Sequence, residues 1–322
     1  MAIRFDGMQR RGQISPCLRS AILLGLLLAA AAPAVAKSPA VIATVRPIAS
    51  LTAGVMSGIG TPATLIPSAQ VPETWVLLNP DESTLRQADV VFWIGPALES
   101  PLSEPFADLQ VGARVIELGD TPGLLTYPPR RGPEWEPPAV AAKAPTDPGD
   151  DGHYWLDPDN VKLLIGRIAN TLTDVDFANS ETYRQNAADL RNRVDALDKE
   201  LALALSGLGD RPFLVLHDDL QYLETRYDLT NAGSVSLGSD PPPRRRLAEV
   251  IAKAERLHVV CILGDATSDE AALQAIAAAA KVRTARVDLY GADAGAGADA
   301  YFKMMRTVAA TLKQCLGGVD AE

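Results

Sequence analysis

From Ser180 to about Leu205 the chain runs without a glycine or a proline. Leu190, Val194, Leu197 and Leu201 fall at spacings of four, three and four, which puts one apolar stripe on a helix and leaves charged side chains on its other faces. Gly207 and Gly209 end the pattern. On either side of this helix, short apolar runs alternate with helical stretches. Residues 41–45, 90–94 and 114–118 read as strands before it, and 213–216, 259–263 and 286–289 after it. Helices are predicted over 81–88, 158–173, 244–255, 269–280 and 298–316. Such alternation implies βαβ units and parallel sheets. The expected fold class is α/β, with two parallel-sheet lobes joined by one long helix and a ligand cleft between them. A chain of 322 residues has room for about two such lobes. The expected boundaries are 37–175 for the first lobe, 176–208 for the linking helix and 209–322 for the second lobe. Eight prolines between 122 and 148 mark a long surface loop within the first lobe.

The amino terminus reads as an address. Arg10, Arg11 and Arg19 precede an apolar run from residue 21 to about 32, and Ala34-Val35-Ala36 follows. This order of charge, apolar core and small residues predicts a secretory signal peptide cleaved after Ala36. The run is shorter than the roughly 20 residues a bilayer demands, so no stable membrane insertion is expected after cleavage. Cys17 lies before the run, which is not where a lipid-anchor cysteine stands. Removing residues 1–36 takes away four arginines and one aspartate and shifts the net charge from −10 to −13. So acidic a chain is a poor partner for nucleic acid, whose phosphates need clustered lysine and arginine. Cys261 and Cys315 remain, and in an oxidising compartment such a pair reads either as one disulfide or as two buried thiols.

In parallel α/β sheets, ligands gather near the carboxyl ends of strands. His217 directly follows the strand 213–216, with Asp218 and Asp219 after it. Asp265 follows 259–263, and Asp288 lies near the end of 286–289. In the first lobe Glu73 precedes Trp75, and His153 precedes the helix begun by Pro158. Two histidines and several carboxylates at loop edges have the chemistry of a divalent-metal site. Each also has an ordinary structural reading: a loop hydrogen-bonder for His153, a turn residue for Asp288, and solvated surface groups for Glu73 and the Asp218–Asp219 pair. His258, at the start of an apolar strand, is read as structural.

The stretches VIATVRP (41–47), QADVVFWIGP (87–96), GHYWLDPDN (152–160) and LHDDLQYL (216–223), with the cysteine in the last helix, resemble the solute-binding components of zinc and manganese ABC importers. The similarity runs in order over essentially the whole chain after residue 36. The resemblance implies two α/β lobes around one long helix, a divalent metal at the interface between them, and a monomeric periplasmic protein that serves a membrane permease and its ATPase. It implies His153, His217 and Asp288 as metal ligands, Asp265 as a neighbour of the ion, and a Cys261–Cys315 disulfide; Asp218, beside His217, is a further candidate neighbour of the ion by its position alone.

There are two departures. Where the family has a histidine in a Pro-His-x-Tyr context, this chain has Pro72-Glu73-Thr74-Trp75, so Glu73 stands in the first ligand position. The histidine-rich loop of many zinc importers is also missing, since 122–150 contains no histidine. Glu73, His153, His217 and Asp288 would offer two nitrogens and two oxygens, and two carboxylates would neutralise a divalent ion. That lowers the cost of burying it. Imidazole favours zinc, with manganese and iron as alternatives. Four protein ligands close the coordination sphere, which implies capture rather than the open-site catalysis of a metal hydrolase. A chaperone or adhesin-like use of the same scaffold is the other alternative. Binding is expected to weaken as pH falls through the histidine range near about 6.5, and the long helix is expected to limit lobe closure.

Overall fold

Three strands of the first sheet, Val41–Ala43, Val90–Trp93 and Arg114–Glu117, form at the predicted runs, and each ends one or two residues earlier than the sequence pattern suggests. This is seen in a computed structural model, which describes residues 1, 38–67, 70–109, 112–131, 135, 149–235, 244–265, 268 and 270–318. The expected signal peptide falls outside the described residues, as does most of the Pro-rich segment. The first sheet comprises β1 (Val41–Ala43), β2 (Ala63–Thr64), β3 (Val90–Trp93) and β4 (Arg114–Glu117), in the order β2-β1-β3-β4. The second comprises β5 (Phe213–Val215), β6 (Asn231–Ser234), β7 (Cys261–Gly264) and β8 (Arg283–Arg286), in the equivalent order β6-β5-β7-β8. Every pairing is parallel.

The last strand is displaced from its expected place. The alternation at 286–289 suggested a strand there, but pairing with β7 runs from Cys261↔Arg283 to Gly264↔Arg286. Val287 and Leu289 are buried beyond the ladder. Their apolar pattern reports burial in a loop rather than strand pairing. Arg283 and Arg286 are exposed on this edge strand, where charged side chains discourage pairing with another chain.

The helices in chain order are α1 (Arg46–Val55), α2 (Asn79–Leu85), α3 (Pro96–Glu99), α4 (Ser103–Leu109), α5 (Pro158–Val175), α6 (Ser180–Leu205), α7 (Gln221–Tyr227), α8 (Arg244–Arg256), α9 (Glu270–Ala280) and α10 (Ala300–Gly317). The long helix α6 has the bounds its sequence predicts. Its stripe is buried against α1, α5 and α10. The approach to α1 is close: a Cβ on Gly54 would stand 2.8 Å from Leu190 Cδ2. One continuous apolar cluster therefore runs from β1 and β3 through α5, α6 and α10 to Phe213, Val215 and Cys261 of the second sheet. A smaller cluster between β5, β7, α8 and α9 completes the second lobe. Apolar burial of this kind is the main force holding the two halves together.

Polar groups stitch the lobes as well. Trp155 Nε1 donates to the Leu289 carbonyl at 3.1 Å, Tyr301 Oη to the Trp155 carbonyl at 3.0 Å, and Tyr222 Oη to the Asp151 carbonyl at 2.7 Å. Cys261 on β7 and Cys315 on α10 form a disulfide, with Cα atoms 5.7 Å apart. Among the described residues no helix is long and apolar enough to cross a membrane.

Candidate metal centre

Strand topology builds the second-lobe wall of the cleft. β5 and β7 are neighbours, with Val215 paired to Leu263, so the residues just past their ends meet. His217 Nδ1 and Asp265 Oδ2 form a short hydrogen bond there. Asp265 is itself anchored, its Oδ1 accepting from Ser268 Oγ at 2.9 Å. A carboxylate on one ring nitrogen fixes the tautomer and aims the other nitrogen, the usual support for a metal-binding imidazole. This hydrogen bond raises the His217 pKa against the opposing effect of burial.

On the opposite wall His153 is placed by the turn leading into α5. Asp157 caps that helix by accepting from the Asp159 and Asn160 backbones at 2.7 and 3.3 Å, and Pro158 opens it. Just upstream, Asp151 Oδ1 accepts from the His153 backbone N–H at 3.0 Å and lies 2.7 Å from its ring Nδ1. The ring is thus held with Nε2 facing the cleft, 3.9 Å from Glu73 Oε1. Burial lowers the His153 pKa, but Asp151, Glu73 and Asp219 outweigh it and push the imidazole up to about 9.

Glu73, His153, His217, Asp218, Asp219, Asp265, Asp288 and Tyr290 all line one cavity of about 260 Å³. The structure thus brings every residue singled out from the sequence for the ion to the same cleft, although their donors meet in pairs. Among the described residues no three His, Cys, Asp or Glu side chains stand close enough together to hold an ion. Asp288 spends its carboxylate on its own loop: Oδ1 accepts from the Tyr290 and Gly291 backbones at 3.1 and 2.8 Å, and Oδ2 from Asp293 at 3.2 Å. Asp218 is gripped by Arg130.

Sequence reasoning passed over four residues. Asp219, read as solvated with Asp218, faces the cavity instead, and burial between the other acids pushes its carboxyl up to about 8 despite His153 and His217. Asp151 orients His153 and was visible as an acid two residues before it. Tyr290 and Arg130 carried no signal in spacing or composition.

The pattern described as zinc-uptake complex component A, periplasmic (ZnuA), matches residues 41–315. The chain belongs to that family. The high-affinity zinc uptake system protein ZnuA of Brucella abortus (strain 2308) is 30% identical over 304 residues, covering 86% of this chain and 91% of that protein. Its counterpart in Paracoccus denitrificans (strain Pd 1222) is 28% identical over 319 residues, covering 92% and 98%. Among solved structures, the periplasmic zinc-binding protein TroA from Treponema pallidum superposes with a TM-score of 0.73 at 16% identity, over 87% of this chain and 99% of that one. At that identity the likeness shows the fold, two α/β lobes on one long helix. The ZnuA family is one of solute-binding proteins.

Proposed function

We propose that this ZnuA-family chain is exported to the periplasm with cleavage after Ala36, captures zinc in the cleft between its lobes, and delivers it to an ABC permease driven by its ATPase. The observation that carries the reading is the convergence of His153, Glu73 and His217 on one cavity from three distant parts of the sequence. Each imidazole has a carboxylate on Nδ1, the arrangement that makes imidazole a strong ligand. His153 and His217 supply nitrogen and Glu73 supplies oxygen. The 287–291 loop closes the fourth side, with Asp288 ordering that loop. An incoming divalent ion lets the pairs draw together and neutralises a wall crowded with acid. The continuous core through α6 supports modest closure rather than a wide hinge. The ions and their protein ligands are the whole of the chemistry in this reading, so the chain acts as a binder and not as an enzyme. It works as a monomer.

Metal analysis and competitive titration of the cleaved, chelator-stripped protein with zinc, manganese and iron test this directly. One tightly held zinc per chain is expected, with His153→Ala and His217→Ala each binding much more weakly. Equal binding by both variants, or no tight zinc in the parent, overturns the proposal.

A further inference from the structure

Three polar atoms form a small triangle on the cleft wall. His153 Nε2 lies 3.9 Å from Glu73 Oε1, and Tyr290 Oη lies 3.3 Å from that nitrogen and 3.5 Å from that oxygen. Both phenol contacts are long hydrogen bonds, beyond the usual range of about 2.7–3.2 Å for a nitrogen–oxygen pair and about 2.5–3.0 Å for an oxygen pair. Donors sharing one tetrahedral zinc, each about 2.0–2.2 Å from the metal, stand about 3.3–3.6 Å apart. Two edges of the triangle have that length, and the third is longer by a few tenths of an ångström. We infer that the phenolic oxygen of Tyr290 is a zinc ligand, completing with Glu73 and His153 one face of the coordination sphere. This rests on the reading of the cleft as a zinc site and deepens it by naming the donor from the 287–291 loop.

The surroundings favour this role over that of a space-filling ring. Tyr290 is clamped by aromatic neighbours, its centroid 5.6 Å from that of Trp155 and 6.4 Å from that of His153. Its backbone is fixed by the Asp288 carboxylate, which holds the N–H groups of Tyr290, Gly291 and Asp293. Asp288 therefore aims the tyrosine instead of reaching for the ion. Glu73, Asp219 and Asp265 line the same cavity, and a divalent ion held among them favours the ionised phenol. As the zinc–oxygen bond forms, the O–H bond breaks and its proton leaves to solvent.

The test uses the full mature chain and zinc alone, with Tyr290→Phe and Tyr290→His. Zinc added to the parent is expected to produce the ultraviolet difference spectrum of a metal-bound phenolate. Tyr290→Phe is expected to lose that signal and to bind zinc at least about tenfold more weakly, with an unchanged melting curve in the metal-free state. Tyr290→His carries a ring nitrogen that falls well short of the phenolic oxygen, and is expected to bind zinc as weakly as Tyr290→Phe and without the phenolate signal. Parent-like zinc affinity in Tyr290→Phe, or no phenolate signal from a parent that binds zinc tightly, overturns the inference and leaves the zinc-capture reading standing. A parent that binds no zinc overturns both.

Discussion

Arg130 reaches Asp218 from the segment that leaves the first lobe, its Nε donating to Oδ2 at 3.0 Å, and the same guanidinium contacts Glu224 at 2.5 and 3.2 Å. Nearby, the Tyr127 N–H donates to Tyr222 Oη at 3.3 Å. The part of the Pro-rich stretch that the structure describes is thus a strap across the two lobes. It meets the second lobe one residue from His217.

Removing the strap's charge should cost stability in a pH-dependent way. Burial pushes the carboxyls of Asp218 and Glu224 above their ordinary range even with Arg130 pulling them down. Arg130→Met leaves two nearly buried carboxylates without their cation, a loss of about 3 kcal/mol. Acids with raised folded pKa values lose stability as pH rises, so the deficit should be larger at about pH 8 than at about pH 5. Urea unfolding of parent and variant at both pH values measures it, and an equal deficit at the two would show that the charges are not its source.

Zinc binding should depend on pH well above the ordinary histidine range. Sequence alone placed the loss of affinity near about 6.5. Asp151, Glu73 and Asp219 move the His153 proton up to about 9, and Asp265 moves the His217 proton upward too. Zinc must displace these protons. Apparent affinity should therefore climb between about pH 6 and pH 9, by up to about tenfold per unit for each imidazole still protonated. Asp151→Asn removes the largest upward influence on His153 and should flatten the upper part of that curve. Chelator-competition titrations across the range give the slopes directly.

How much of this was legible beforehand depended on whether a feature is local in sequence. The helix α6 was, because an apolar stripe free of glycine and proline needs no partner to be recognised. The cleft residues at the ends of β5 and β7 were, because parallel topology dictates where strand ends point. The displaced strand β8 was not: the apolar alternation of Val287 and Leu289 marks burial, and only register against β7 shows which residues pair. Tyr290 and Arg130 were hidden for a related reason. Their roles arise from contacts to residues at sequence separations of 137 and 88, and nothing in their own neighbourhoods announces them.

Glu99 offers a stability test away from the zinc ligands. It is fully buried at the end of the short helix α3, its Oε2 accepting from the Ile94 and Gly95 backbones at 2.7 and 3.4 Å. Burial raises its carboxyl from 4.5 to about 7 against the pull of the Thr44 side chain and of those N–H groups. The folded chain therefore binds this proton more tightly than the unfolded chain. Its contribution is fully favourable below about pH 4.5 and is lost as pH rises through about 7. Glu99→Gln keeps an acceptor for the two N–H groups and removes the charge. It should be more stable than the parent by up to about 3 kcal/mol at about pH 8, with the difference shrinking toward acid. Thermal melts of both proteins across pH decide it.

The disulfide separates stability from binding. It ties β7, whose end carries Asp265, to the final helix, and closes a loop with a sequence separation of 54. By chain entropy such a link is worth at most about 4 kcal/mol, acting chiefly on the unfolded chain. The folded neighbourhood has independent ties, since Arg283 Nε donates to the Cys315 carbonyl at 2.7 Å and the β7–β8 ladder runs over four paired positions. Cys261→Ser with Cys315→Ser should therefore lower the unfolding midpoint clearly while changing zinc affinity by less than about threefold, because the geometry at His217 and Asp265 is held by β5 and β7 themselves. A large loss of zinc affinity in a variant that still melts cooperatively would mean that the bridge positions the site, not only the chain.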